Sequence, residues 1–240
     1  MVIVVTGGSR GIGRGLVREF LARGHQVVTC GSAKAPEDGL GVVADVTDRA
    51  QVRELWDTAV AEYGRVDVWI NNAGVTQRRV PLWELTEQET RAVVDVNLNG
   101  VINGCAVALA GMAGQGHGHV WNMEGLGSDG RAVPGLSVYG STKRALTYLT
   151  KALAKEVPDG VSVGLLSPGM VVTDLLVRDL NPKSRKIFDI LADRVETVTP
   201  WLAEQALARI GNGAHVRWLT NRKVMARFAT APFTRRKVLP

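Results

Sequence analysis

Tyr139 and Lys143 stand four residues apart in the run Tyr139-Gly140-Ser141-Thr142-Lys143. A phenol with an ordinary pKa of about 10 releases its proton too reluctantly for work near neutrality, and a fixed cation beside it favours the phenolate. On one helix face, four residues apart, such a pair can shuttle a proton. The helix that must carry it is predicted over residues 138–157, where Val138, Ala145, Leu146, Leu149, Ala152 and Leu153 recur at intervals of three and four. A second set of residues suits a different task. Gly7-Gly8-Ser9-Arg10-Gly11-Ile12-Gly13 follows the apolar run Val2 to Thr6 and leads into a helical pattern at residues 11–23. Glycines permit a tight turn and close approach of a diphosphate, whose charge the amides and dipole at a helix N-terminus then bind. Strand, glycine turn and helix in that order predict dinucleotide binding, with a Gly-x-x-x-Gly-x-Gly spacing.

The elements around these residues follow from the pattern. Strands are predicted at residues 2–6, 26–30, 41–44, 66–70, 119–123 and 161–166. Thr47 is expected to cap a helix running through Tyr63 and closed by Gly64, and Thr86-Glu87-Gln88-Glu89 reads as a capping box opening a long helix. Asn71-Asn72-Ala73-Gly74 lies just past the fourth strand, where open α/β sheets bind ligands. Asn97 falls inside the long helix, an unfavourable place by propensity, which suggests a buried polar role. Strands alternating with helices specify a single-domain α/β protein of the Rossmann type, a doubly wound, mainly parallel sheet with helices on both faces.

The bulk properties narrow the classes. In 240 residues, 45% hydrophobic, there is material for one sizeable core and no linker or repeat to divide it. The reading assigns residues 1–220 to one domain, with a substrate loop at about 170–201, and residues 221–240 to a basic tail. Cys30 and Cys105 are far apart and show no metal-ligand spacing, so no disulfide framework or metal site is expected. His117 and His119 flank a glycine before a strand, without further ligands, so a solvated loop is expected there rather than a metal site. The strand pattern begins at Val2, which predicts no targeting peptide, and no apolar run is long enough to span a bilayer. The expected location is cytoplasmic or peripheral to a membrane. The net charge of +6 is concentrated late: from Gln205 to Pro240 there is no acidic residue, while Arg209, Arg217, Arg222, Lys223, Arg227, Arg235, Arg236 and Lys237 are basic. Trp218, Met225, Phe228 and Phe233 alternate with them, which suits either a peripheral membrane contact or a solvated, frayed tail. No nucleic-acid module accompanies the charge.

The second strand ends in Cys30-Gly31-Ser32-Ala33-Lys34, with no carboxylate to meet an adenosine ribose. Arg10 and Lys34 stand ready for a 2′-phosphate, so the expected cofactor is NADP(H).

Thr6-Gly7 with Gly11-Ile12-Gly13, Asn71-Asn72-Ala73-Gly74, Asn97, Tyr139 with Lys143, and Pro168-Gly169 together resemble the short-chain dehydrogenase/reductase family over some 170 residues. In that family a serine lies thirteen residues before the tyrosine. Counting back from Tyr139 reaches Leu126, and aligning from Asn122 reaches Gly125; Ser128 is the nearest replacement. Residues 122–130, 139–144 and 166–176 are similar to one branch, the chlorophyll(ide) b reductases. The resemblance implies reduction by NADPH of the C7 formyl group of chlorophyll b or chlorophyllide b to hydroxymethyl. Tyr139 is then the proton donor, Lys143 holds its pKa down, Asn97 anchors a water beside Lys143, and Ser128 meets the carbonyl. Gly7, Ser9, Arg10, Gly11, Ile12, Gly13, Asp45, Val46, Asn72, Ala73, Gly74, Pro168, Gly169 and Thr173 are implied at the cofactor. Leu175, Leu176, Phe188, Ile190, Leu191, Trp201 and Trp83 supply apolar surface for a pigment, or serve as ordinary core. The family also implies a homodimer or homotetramer. Two other functions fit the residues: a general NADPH carbonyl reductase of smaller substrates, and a nucleotide-binding scaffold without catalysis.

Overall fold

The computed structural model describes residues 1–177, 182–234 and 236–239. Val2–Thr6 forms β1, fully buried, and is followed by α1 (Gly11–Ala22), β2 (Gln26–Gly31) and β3 (Leu40–Val43). Next come α2 (Arg49–Tyr63), β4 (Val68–Asn71), α3 (Glu87–Val94), a π-helical turn at Asp95–Asn99 and α4 (Gly100–Gln115). Then β5 (Gly118–Met123), α5 (Ser137–Leu153), β6 (Val161–Ser167) and β7 (Val171–Val172) follow. The chain closes with α6 (Asp174–Val177), α7 (Pro182–Leu191), β8 (Asp193–Arg194), α8 (Val195–Ala208), β9 (His215–Arg217) and α9 (Asn221–Thr230).

Seven strands form one parallel sheet in the order β3-β2-β1-β4-β5-β6-β9, and β7 pairs with β8 in a separate ribbon. Alternation within each strand feeds both faces. Ile3 and Val5 pack with Leu16, Val17 and Phe20 of α1 and with Val198, Leu202 and Ala206 of α8. Val4 points the other way, into a core with Leu55 and Trp56 of α2, Cys105 and Met112 of α4, and Leu146 of α5. Burial on both faces explains why these strands read as continuous apolar runs. Each large side chain removed completely from water, such as Phe20 or Leu55, contributes about 2–3 kcal/mol.

Four details differ from expectation. A seventh strand, β9, closes the sheet edge; with one apolar residue in His215-Val216-Arg217, it has no readable alternation. The cap of α2 is Asp48, whose carboxylate accepts from the Ala50 N–H, while Thr47 turns its N–H and hydroxyl to Asp45 Oδ1. The continuous helical stretch Glu87–Gln115 is long and apolar enough to cross a membrane by length and composition, yet half of its most apolar window is buried inside the fold. His119 lies buried within β5, its Nδ1 2.6 Å from Ser162 Oγ and its ring against Trp121, rather than in a solvated loop. Gly64 in the left-handed region and the Thr86–Glu89 capping box occur as predicted.

Candidate active site

At the carboxyl ends of β1 and β4, the glycine turn and the Asn71-to-Gly74 segment are tied together. Thr6 Oγ1 accepts from the N–H groups of Asn72 and Ala73, and Asn72 Nδ2 donates to the carbonyls of Thr6 and Gly7. A Cβ on Gly13 would lie 2.1 Å from Gly7 O and 2.5 Å from Asn72 Nδ2, so only glycine fits. Gly7, at φ +70°, has the left-handed backbone that glycine adopts without strain. Above this turn opens a cavity of about 550 Å³, with the N-terminal end of α1 in its floor. Its wall contains Gly7, Ser9, Arg10, Gly11, Ile12 and Gly13 from the turn, Asp45 and Val46 after β3, and Asn72, Ala73 and Gly74 after β4. Thr173, Tyr139 and Lys143 also line it. Pro168 and Gly169 are not among the lining residues; a Cβ on Gly169 would press against Leu219 instead.

The bare, left-handed backbone at the N-terminus of α1 fits a dinucleotide diphosphate. Gly31, Ser32, Ala33 and Lys34 border the same cavity, with no carboxylate at the end of β2. Arg10 is largely solvent-facing, 3.9 Å from Asp174, and Lys34 is 3.6 Å from Glu37.

Tyr139 and Lys143 are both buried on one face of α5. The Tyr139 N–H donates to Gln77 Oε1 at 2.9 Å, and Gln77 Nε2 donates to Gly135 O, so a glutamine from a loop fixes the start of the helix. Lys143 Nζ donates to Met123 O at 3.1 Å and lies 5.9 Å from the centre of the Tyr139 ring. Burial pushes the Tyr139 phenol up to about 12, against the opposing charge of Arg79. Burial pushes Lys143 down to about 8, against the charge of Glu124. The expected lowering of the tyrosine by Lys143 is absent: desolvation, which disfavours both charged forms, dominates, and the charge that opposes it at Tyr139 is that of Arg79.

Asn97 is fully buried in the π-helical turn, and its side chain is clamped to Val75: Oδ1 accepts from the Val75 N–H and Nδ2 donates to the Val75 carbonyl. A Cβ on Gly74 would come within 3.3 Å of Asn97 Oδ1 and 3.9 Å of Lys143 Nζ, so the three converge. The π-helical turn shifts the backbone register, which is how a mid-helix asparagine reaches the loop after β4.

Ser128 does not join this set. Its hydroxyl donates to Lys143 O at 3.3 Å and accepts from the Gly125 N–H at 3.1 Å, bracing the turn from behind, and it is not among the residues lining the cavity. The residue at the phenol is Gly125: a Cβ there would lie 2.3 Å from the Tyr139 hydroxyl. Of the two alignments open in the sequence, the one from Asn122 therefore describes the geometry. Glu124, which sequence reading left without a role, lines the cavity beside Tyr139 and Lys143 and accepts from or donates to His215 Nε2 at 2.8 Å.

The apolar residues divide. Leu175 borders the cavity and packs with Tyr139, Val75 and Leu126. Phe188, Leu191 and Ile190 build a small core with Met170 and Leu219. Trp201 is edge-on to Trp218 beside the α1–α8 core. Trp83 is 85% exposed and borders a separate groove with Leu82 and Tyr148. The Leu176 side chain lies outside the described residues.

The basic tail is drawn inward at two points. Arg227 and Arg236 both bind the carboxylate of Asp193 and cap carbonyls at the end of α7, those of Leu191, Ile190 and Ala192. Trp218 Nε1 adds a donor to Asp193 at 2.6 Å, and Lys223 sits over the Trp218 ring, its pKa pushed down to about 8 by burial and Arg227. Arg235 lies outside the described residues. Met225 and Phe228 face outward from α9. His117 Nε2 is 3.2 Å from Asp67, and no cluster of metal-ligating side chains occurs among the described residues.

Comparison with known proteins adds independent support. A family model for short chain dehydrogenase matches residues 1–183. Chlorophyll(ide) b reductase NOL, chloroplastic, of Arabidopsis thaliana is 37% identical over 245 residues, covering 92% of this chain and 70% of that protein. Probable chlorophyll(ide) b reductase NYC1, chloroplastic, of the same plant is 33% identical, over 95% of this chain and 52% of its own length. The crystal structure of 3-ketoacyl-(acyl-carrier-protein) reductase from Brucella melitensis complexed with NADH matches with a TM-score of 0.81 at 25% identity, covering 92% of this chain and 98% of that one. A blue fluorescent protein from a metagenomic library, in complex with NADPH, shares the fold with a TM-score of 0.77 at 24% identity, over 90% and 95% of the two chains.

Proposed function

The chain belongs to the short-chain dehydrogenase family of oxidoreductases, and from that premise we propose that it reduces the C7 formyl group of chlorophyll b or chlorophyllide b to hydroxymethyl with NADPH. The observation that carries this reading is the single cavity with the glycine turn in its floor and the Tyr139–Lys143 pair in its wall. Bound there, the cofactor supplies a hydride, and the protein's task is to align the carbonyl and protonate the oxygen.

Burial keeps Tyr139 in its proton-bearing form at neutral pH, which suits a donor in the reductive direction. Lys143, with its pKa near 8, is largely an ammonium at pH 7 and returns a proton to the phenolate. Gly125 leaves the phenol uncovered on the side where a side chain would touch it, and Leu175, Leu126 and Val75 offer apolar surface around it. Arg10 and Lys34, with no carboxylate after β2, favour the 2′-phosphate of NADPH over the free ribose of NADH. Met225 and Phe228, exposed on α9 together with Arg222, favour contact with an anionic lipid surface, and a homodimer or homotetramer is the assembly expected for the family.

The direct test is to incubate the protein with NADPH and chlorophyll b and to look for 7-hydroxymethyl chlorophyll. Tyr139→Phe should abolish its formation and leave NADPH binding intact; retained turnover would refute the donor assignment. Equal or faster turnover with NADH would overturn the cofactor assignment. The likeness to a ketoacyl reductase favours a second reading, a reductase of smaller carbonyl compounds, which turnover of small aldehydes or ketones in preference to pigment would select.

A further inference from the structure

Protonating the product once per turnover empties Tyr139, and the buried Tyr139–Lys143 pair needs a route to water. Asn97, the residue expected to anchor a water, has both polar side-chain atoms on Val75 and no exposure. Beside Lys143 a second path is built, apart from any water held by the Asn97 backbone. Glu124 follows β5 directly, its side chain is 4% exposed, and it borders the cavity shared by Tyr139 and Lys143. Its Oε2 lies 2.8 Å from Nε2 of His215, 91 residues later on the edge strand β9. The His215 side chain is 27% exposed, so this one ring reaches from the buried carboxylate to the surface.

The hydrogen bonds at His215 are in competition. Arg217 Nε, which can only donate, is 2.9 Å from the same Nε2. That nitrogen has one in-plane position: bare, it accepts from Arg217; protonated, it donates to Glu124 and gives up Arg217. The two contacts exclude each other at one nitrogen. The other charged and titratable groups facing Glu124 are Lys143 and Tyr139 across the cavity, with Arg79 acting on Tyr139. The charge of Glu124 favours the ammonium form of Lys143, so the two groups sense each other without a direct ion pair.

Resting on the reductive reading above, we propose that Glu124 and His215 form a proton-relay arm connecting solvent at the sheet edge with Lys143 and Tyr139 inside the cavity. Tyr139 gives its hydroxyl proton to the reduced carbonyl oxygen. Its phenolate takes one from the Lys143 ammonium. The His215 imidazolium gives its Nε2 proton to the Glu124 carboxylate, and the carboxylic acid so formed gives one to the Lys143 amine through water in the shared cavity. His215 then exchanges with bulk water. One proton enters for each hydride delivered, and nothing in the arm is oxidised or reduced.

The test uses the full chain in three measurements. His215→Ala should lower kcat by about tenfold or more with an unchanged KM for NADPH, and added imidazole should restore it in proportion to its concentration. His215→Gln, which keeps the size and hydrogen bonding but does not titrate, should show the same loss with an unchanged melting temperature. Independently of turnover, lysine NMR on free protein should show Lys143 titrating lower in Glu124→Gln than in the wild type. Wild-type kcat in His215→Ala, a loss that imidazole does not restore, or an unmoved Lys143 titration overturns the arm. Activity is measured on chlorophyllide b and on a small aldehyde in parallel. Reduction of the aldehyde alone removes the pigment reading and leaves the arm to be judged on that substrate; with neither reduced, the Lys143 titration decides.

Discussion

Glu124 and Asp193 are both carboxylates with side chains only 4% exposed, and both are held by bases from the last part of the chain. Their surroundings differ in kind. Asp193 is saturated by Arg227, Arg236 and the Trp218 N–H, donors that cannot lose their protons near neutrality. Glu124 has a histidine, whose charge is conditional, and an open cavity beyond. A buried carboxylate among permanent donors is a structural tie; one between an imidazole and a cavity that also holds Lys143 is where the proposed relay would run.

Asp193→Ala is the largest insult to this contrast. It strands two guanidinium groups against the end of α7 and should cost about 3–5 kcal/mol in denaturant unfolding. A loss equal to that of a surface mutation would break the distinction. The pH dependence comes next. The donors around Asp193 hold its carboxyl below the usual carboxylate range, with the two arginines and Trp218 outweighing desolvation. A group with a depressed folded pKa contributes stability above its unfolded value, about 3.9, and loses it as pH falls through the folded value. The stability gap between wild type and Asp193→Asn should therefore be constant near neutrality and close in acid, as read by melts across that range. Arg236→Met, which removes the more exposed of the two cations, should cost about 1–2 kcal/mol. Glu124→Gln should change stability least, by about 1 kcal/mol or less, since the amide still bonds His215. A stability loss for Glu124→Gln as large as that for Asp193→Ala would make both residues structural.

The two regions also differ in how far they were readable. The glycine turn, Asn71 to Gly74 and the Tyr139–Lys143 spacing are local: each motif is a few contiguous residues whose chemistry depends on their own backbone. These converge on one cavity as their order implied. Ser128 was the nearest serine in sequence, yet the turn carries its hydroxyl behind Lys143 and places Gly125 at the phenol. A one-residue ambiguity in a glycine-rich loop decides which atom faces the site, and spacing alone does not resolve it. The basic tail shows the same limit. Its charges read as a solvated or membrane-facing run, while Arg227 and Arg236 turn inward to a carboxylate more than 30 residues earlier.

By itself, the sequence determined the doubly wound sheet, the glycine turn between β1 and α1 and the placing of Tyr139 and Lys143 on one helix face, because strand periodicity, glycine conformation and i to i+4 spacing are properties of neighbouring residues. Only the tertiary structure decided which groups share the cavity with Tyr139. Glu124 and His215, Asp193 and Arg236, and Gln77 and Tyr139 are brought together by sheet order and loop packing across 91, 43 and 62 residues. Burial then pushes the Tyr139 phenol up and the Lys143 ammonium down, and desolvation, which depends on everything packed around a group, leaves no mark in the residues beside it.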